Sequence, residues 1–149
     1  MTTTNSDVAT KQADPTAKNL LVSERVESSV VAIECIYTVL ATEVVNDLVR
    51  LFKVPEGYRA IASDFTVTSD GIGGTSAIIS IGTASNPDSI AAAIDITSAS
   101  FDRADNSGDE ALTPVTATTT EDLFLKFTTL TAAPTVAKLI VVRGLFQKA

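Results

Sequence analysis

Histidine does not occur in this sequence. Without imidazole there is no Ser–His or Cys–His nucleophile pair, no histidine metal ligand and no side chain with an ordinary pKa near neutrality. Cys35 is the single cysteine, so neither a disulfide framework nor a thiolate metal cluster can be built within the chain. Tryptophan is absent and tyrosine occurs twice, which leaves few aromatic platforms for a sugar ring. The 11 Lys and Arg are scattered and outnumbered by 18 Asp and Glu, for a net charge of −7 and a pI near 4.4. A nucleic-acid footprint needs clustered basic residues, so no nucleic-acid partner is expected, and the charge favours solubility. No apolar run approaches the ~20 residues of a membrane helix, so no membrane partner is expected either. The polar start, MTTTNSDVATKQADPTAK, lacks the apolar stretch of a secretory signal.

What the chain does contain is β-forming. Hydrophobic residues make up 45 % of it, and Ala, Val, Ile and Thr dominate, a mixture suited to pleated, half-buried surfaces. A length of 149 residues fits one domain with a core that needs no staples. From residue 28 the pattern has period two. In SSVVAIECIYTVL, Val31, Ile33, Cys35, Tyr37 and Val39 share a face. NDLVRLFKV sets Leu48, Arg50, Phe52 and Val54 opposite Val49, Leu51 and Lys53. YRAIASDFTVTS sets Ile61, Phe65 and Val67 opposite Ala60, Ala62, Asp64 and Thr66. TSAIISIGT, DLFLKFTTL and TVAKLIVVRGLF follow, separated by Pro55–Gly57, Asp70-Gly71, Asn86-Pro87-Asp88, Asn106-Ser107-Gly108 and Ala133-Pro134. Pro55 is expected at the second position of a β-turn and Gly57 at the fourth. Roughly seven to nine short strands with regular turns predict an all-β, antiparallel sandwich or jelly-roll-like domain over residues 28–149. PDSIAAAIDITSA, residues 87–99, reads as a short helix or irregular crossover, with Asp88 or Ser89 as the cap.

Residues 1–27 lack a core pattern. The first 18 are too polar to offset their ordering entropy and predict a flexible N-terminal arm. Leu20, Leu21 and Val22 form a short apolar cluster within it, a candidate partner-binding anchor; a first strand or a cover for the sandwich edge accounts for them equally.

Three features invite a chemical reading. GIGG places Gly71, Gly73 and Gly74 after a strand, as in a phosphate loop. Such a loop must open onto a helix N-terminus, whereas TSAIISI is β-branched and no Gly-Lys-Ser/Thr ending is present. A hairpin loop with positive φ is the expectation. DRADNSGDE, residues 102–110, offers oxygen ligands for a hard cation, but Gly108 falls seventh and no glutamate stands twelfth, so EF-hand spacing is absent; a solvated loop accounts for it. Glu34, Glu43, Asp47, Asp64 and Asp95 are the carboxylates that could act as acid or base, yet none forms a recognisable catalytic constellation. Cys35, lacking a base, reads as a small buried hydrophobe. No catalytic, metal or cofactor site is assigned.

The order of features carries more than any one of them. LFKVPEG (residues 51–57), the glycine turn, AIISIGTASNPDSI (77–90), AIDIT (93–97), EDLFLKFT (121–128) and AKLIVVRGLF (137–146) together resemble the small β-sandwich decoration, or cement, proteins of tailed bacteriophage capsids. The resemblance covers residues 28–149 and includes no catalytic residue. It implies a structural virion protein on the outer surface of a capsid, bound to the major capsid protein and bracing adjacent subunits, as a homo-oligomer with a trimer favoured. A tail or fibre component, or a non-catalytic carbohydrate-binding module, would use the same strands. The purified protein is expected to hydrolyse neither nucleotides nor glycosides, and Gly73→Ala to alter stability or solubility without abolishing any activity. Saturable nucleotide binding that this substitution abolishes would reverse the reading of the glycines.

Overall fold

The computed structural model describes residues 3–5, 30–103, 117 and 119–149. Among them are nine strands: β1 (Thr3–Asn5), β2 (Val30–Thr38), β3 (Leu48–Val54), β4 (Tyr58–Asp70), β5 (Ala77–Thr83), β6 (Ala91–Asp95), β7 (Ala99–Arg103), β8 (Glu121–Leu130) and β9 (Leu139–Lys148). They form two sheets, in the orders β1-β3-β8-β5-β6 and β2-β9-β4-β7. Every pairing is antiparallel except β1 with β3, where Thr3–Asn5 runs parallel to residues 48–50. The all-β sandwich expected from the period-two pattern is therefore the fold.

Strict alternation produces the second sheet's first two strands, β2 and β9. On β2, Val31, Ile33, Cys35 and Tyr37 are buried and the residues between them are exposed. Its partner β9 buries Ile140, Val142 and Phe146 on the same inner face. Phe65, Phe127 and Phe146 are fully buried, each side chain contributing about 1.5–3 kcal/mol.

Two strands depart from the expected faces, for one physical reason. In β3 the register against β8 shifts between Arg50 and Phe52. The extra residue of a β-bulge reverses the phase of alternation. Val49 and Leu51 are buried before the bulge, and Phe52 and Val54 after it, so Phe52 lies in the core rather than opposite Leu51. In β4 the register against β9 shifts between Ile61 and Thr66. Tyr58 and Ala60 are buried before the irregularity, Phe65 within it and Val67 after it, and Ile61 is half-buried instead of sharing their face.

Gly144 accommodates that irregularity. A Cβ there would lie 2.5 Å from Phe65 Cε1 and 2.6 Å from its Cζ. The missing side chain leaves room for the Phe65 ring against the β9 backbone.

Three local expectations need correction. Residues 91–95 form strand β6, not a helix. Ile79 opposes Ile94, and Ile90 N–H donates to Ile81 O at 3.0 Å. The alanines favour a helix locally, but burial of Ile90, Ile94 and Ile96 beside β5 overrides that preference. The glycine stretch is not a hairpin: β4 and β5 lie in different sheets, so residues 71–76 carry the chain across the sandwich. The positive φ is present, at 78°, 83° and 85° for Gly71, Gly73 and Gly74. The turn after β3 is displaced by one residue. Tyr58 N–H donates to Pro55 O at 3.3 Å, which puts Pro55 first and Gly57, with φ 82°, third.

Gly144→Ala is expected to destabilise the protein by about 1–3 kcal/mol through overpacking against Phe65. Truncation to Phe65→Leu in the same chain should recover part of the loss. Urea unfolding that shows Gly144→Ala as stable as the parent would refute this account of the bulge.

Candidate interaction surface

The carboxylates singled out from the sequence occupy different environments. Glu34 is exposed on β2 and accepts from Arg143 Nε at 2.5 Å across the strand pair. Asp64 is exposed beside the β4 irregularity. Asp95 is exposed and accepts from Thr97 N–H at 2.8 Å; hydrogen bonds from Thr97 hold its carboxyl below the usual range. Cys35 is buried, and its thiol donates to Leu51 O at 3.3 Å, as suits a small core residue.

Glu43 and Asp47 are brought together. Both are buried, at 5 % and 2 % exposure. The Tyr37 phenol donates to Glu43 Oε1, and Asp47 Oδ2 accepts from Val44 N–H at 2.9 Å. Burial, and then the charge of Asp47 and a hydrogen bond with it, raise the Glu43 pKa against the opposing effect of the Tyr37 bond. Burial first, then the bond to Glu43, hold the Tyr37 phenol above its ordinary range. The cluster is a proton-holding tie beneath residues 39–47. It anchors the loop and turns two carboxyl groups inward.

That loop belongs to one end of the sandwich, where four connections cross between the sheets: β2 to β3, β4 to β5, β6 to β7 and β8 to β9. They are bonded to one another. Ile72 N–H donates to Ile96 O at 3.0 Å, Gly73 N–H to Thr97 O at 3.1 Å, and Thr135 N–H to Ile72 O at 2.8 Å. Thr131 Oγ1 accepts from Thr75 N–H at 3.0 Å and Ser76 N–H at 2.9 Å. Val39 N–H donates to Lys138 O at 2.9 Å. The Gly73 N–H that a phosphate would need is thus already used, and strand β5, not a helix, follows. Ile72 is buried and plugs this end.

The outer surface of this end is apolar. Of the eight exposed large hydrophobic residues among those described, five lie here: Leu40, Val44, Val45, Val136 and Leu139. Val44 is the most exposed of the five, at 55 %. A shallow groove runs between residues 41–45 and 130–133.

The outer face of the second sheet offers a different surface. Register places Ile36, Val141, Thr68 and Phe101 in one row across β2, β9, β4 and β7. Phe101 is 62 % exposed. The next row holds Glu34, Arg143, Thr66 and Arg103. An apolar row flanked by arginines is a pattern of protein contact surfaces.

Of these surface residues the sequence reading singled out Glu34 alone, and as a candidate acid or base rather than a contact. Leu20, Leu21 and Val22, which it did single out, lie outside the described residues, as do residues 104–110 of the acidic stretch; Asp102 and Arg103 end β7. The available signal was ATEVVND, where adjacent valines break the alternation between two clear strands.

No family model matches the chain, and no curated protein matches it in sequence. Solved structures do match in fold. A chain in the capsid of Ralstonia phage GP4 matches with a TM-score of 0.70 and 15 % identity, over 99 % of this chain and 98 % of that one. A chain in the capsid asymmetric unit of cyanophage Pam1 matches with a TM-score of 0.55 and 15 % identity, over 80 % and 85 %. The protein has the fold of these phage capsid chains. The agreement with the first runs over nearly the full length of both chains.

The buried tie makes stability depend on pH. Unfolded, Glu43 ionises in the ordinary carboxylate range; folded, it keeps its proton to higher pH. The folded state therefore binds more protons between those values, and this contribution, full in acid, is lost as pH rises through the raised pKa. Glu43→Gln keeps an acceptor for Tyr37 and cannot ionise. Melting profiles from about pH 5 to about pH 8, above the ordinary glutamate pKa, should show the parent losing stability relative to Glu43→Gln. Parallel profiles would refute the proton tie.

Proposed function

We propose that this protein is a structural, non-catalytic component of a phage virion. It binds the outside of the capsid and braces contacts between subunits of the major capsid protein. The observation that carries the reading is the end-to-end fold match to a chain of a phage capsid. A sandwich with an exposed sheet face is suited to docking on a shell. The row of Ile36, Val141, Thr68 and Phe101, with Ile36 and Phe101 exposed, supplies a face for such an addition.

The arm is the second element of the proposal. Thr3–Asn5 pairs in parallel with the β3 edge, so the N-terminal sequence is suited to adding a strand to an existing sheet. Strand addition is a general mode of protein docking. On a shell, residues 1–27 add contacts on a neighbouring subunit, with Leu20, Leu21 and Val22 as the apolar anchor. The ordering entropy is incurred on docking. The same reading takes the protein as a homo-oligomer, a trimer by preference, because repeated weak contacts on a symmetric shell gain from multivalency.

Cosedimentation with empty capsid shells tests this. The full chain is expected to bind, and deletion of residues 1–18 to leave the domain folded while weakening attachment. Leu20→Asp with Val22→Asp should weaken it further, by removing burial worth about 1.5–3 kcal/mol per side chain. A full chain that binds no shell ends the proposal. A truncated chain that binds as tightly as the parent ends the role of the arm and leaves the sheet face as the docking surface.

A further inference from the structure

We infer that the crossover end of the sandwich is the surface through which copies of this chain contact one another. The inference deepens the oligomeric part of the proposed function by naming its contact, and it does not depend on binding to a shell.

Charge distribution carries it. The chain has a net charge of −7, so two copies repel wherever their charged surfaces meet. Residues 71–76, 96–98 and 131–137 contain no charged residue at all. Residues 39–47 contain two, Glu43 and Asp47, and both are turned into the buried tie with Tyr37. The exposed side chains of these loops are therefore Leu, Val, Ala, Thr, Ser and Asn, with Asp70, Asp95 and Lys138 at the margin. A charge-free apolar patch can meet its own copy without opposition, and no complementary charge pattern is required of it. Depletion of charge at an apolar centre is the compositional mark of a contact core. The second sheet's outer face differs in this respect: Arg103 and the Glu34–Arg143 ion pair stand beside its apolar row, so a second copy meeting that face would have to cover charged groups.

The patch is also preorganised. Thr131 ties the β8–β9 connection to Thr75 and Ser76, and the Glu43–Tyr37 bond holds the β2–β3 connection. Val44 and Val45 stand on that fixed loop, so little ordering is needed on contact.

The test is sedimentation equilibrium of the purified full chain, without shells, over a concentration series. The parent is expected to form an oligomer above its 15.5 kDa monomer mass. Val44→Asp with Val45→Asp should weaken association by more than about tenfold, with the circular dichroism spectrum unchanged. Val136→Asp, on a different connection, should weaken it too, so the inference does not rest on one variant folding. Phe101→Asp, on the sheet face, should leave the mass unchanged. A parent that is monomeric throughout, or an oligomer that survives both valine variants, overturns the inference. So does dissociation by Phe101→Asp alone. Shell cosedimentation of the same variants separates the two readings. Monomeric variants that still bind shells leave shell binding standing, and a monomeric parent that loses shell binding in Val44→Asp with Val45→Asp assigns this end to the shell instead.

Discussion

Phe146 is the contact on which the sandwich turns. Its ring packs against Phe52 from the facing sheet, with centroids 5.4 Å apart, and edge-on against Phe65 from the neighbouring strand at 5.6 Å. Such aromatic pairs add about 0.5–1.5 kcal/mol beyond the area they bury. Neither partner would reach Phe146 in a regular strand. Phe52 follows the shift in β3, and Phe65 lies within the larger irregularity in β4. Each shift turns an otherwise outward ring into the core, and Gly144 clears the space that the second ring occupies. Bulges, glycine and rings form one arrangement, and removing any member leaves the others strained or unfilled.

This explains which parts of the fold were legible in the residues. β2 and β9 follow period two without interruption, so the faces of Val31 to Tyr37 could be read directly. The phase of β3 and β4 could not, because an inserted residue leaves the apolar content unchanged while reversing every side chain beyond it. Residues 91–95 failed for another reason. Three successive alanines carry local helix preference, and only the unseen neighbour β5 decides in favour of a strand. The three glycines were correctly read as positive-φ positions. Their place between sheets, rather than within a hairpin, depends on pairings many residues away.

The interaction surface was the least legible part. Sequence reasoning looks for chemistry in concentrations of function-bearing residues, and here the informative feature is a deficit. Leu40, Val44, Val45 and Val136 come from two connections remote in sequence, and they become a surface only when the β2–β3 and β8–β9 crossovers meet at one end. Glu43 and Asp47 obscure the deficit further. Read along the chain, they place charge in the middle of ATEVVND. In the fold, both are withdrawn from the surface.

That withdrawal links the core to the exterior. Burying two carboxylates is costly unless one keeps its proton and both are hydrogen-bonded. Tyr37 serves this end from the inner face of β2, within the same alternating row as Val31, Ile33 and Cys35. A polar residue in that row would serve no purpose in a purely apolar sandwich. Here it lets the β2–β3 connection cross the end of the sheets with its charges inside and its valines outside. The position of Tyr37 in the core row and the apolar character of the surface above it are therefore two consequences of one hydrogen bond.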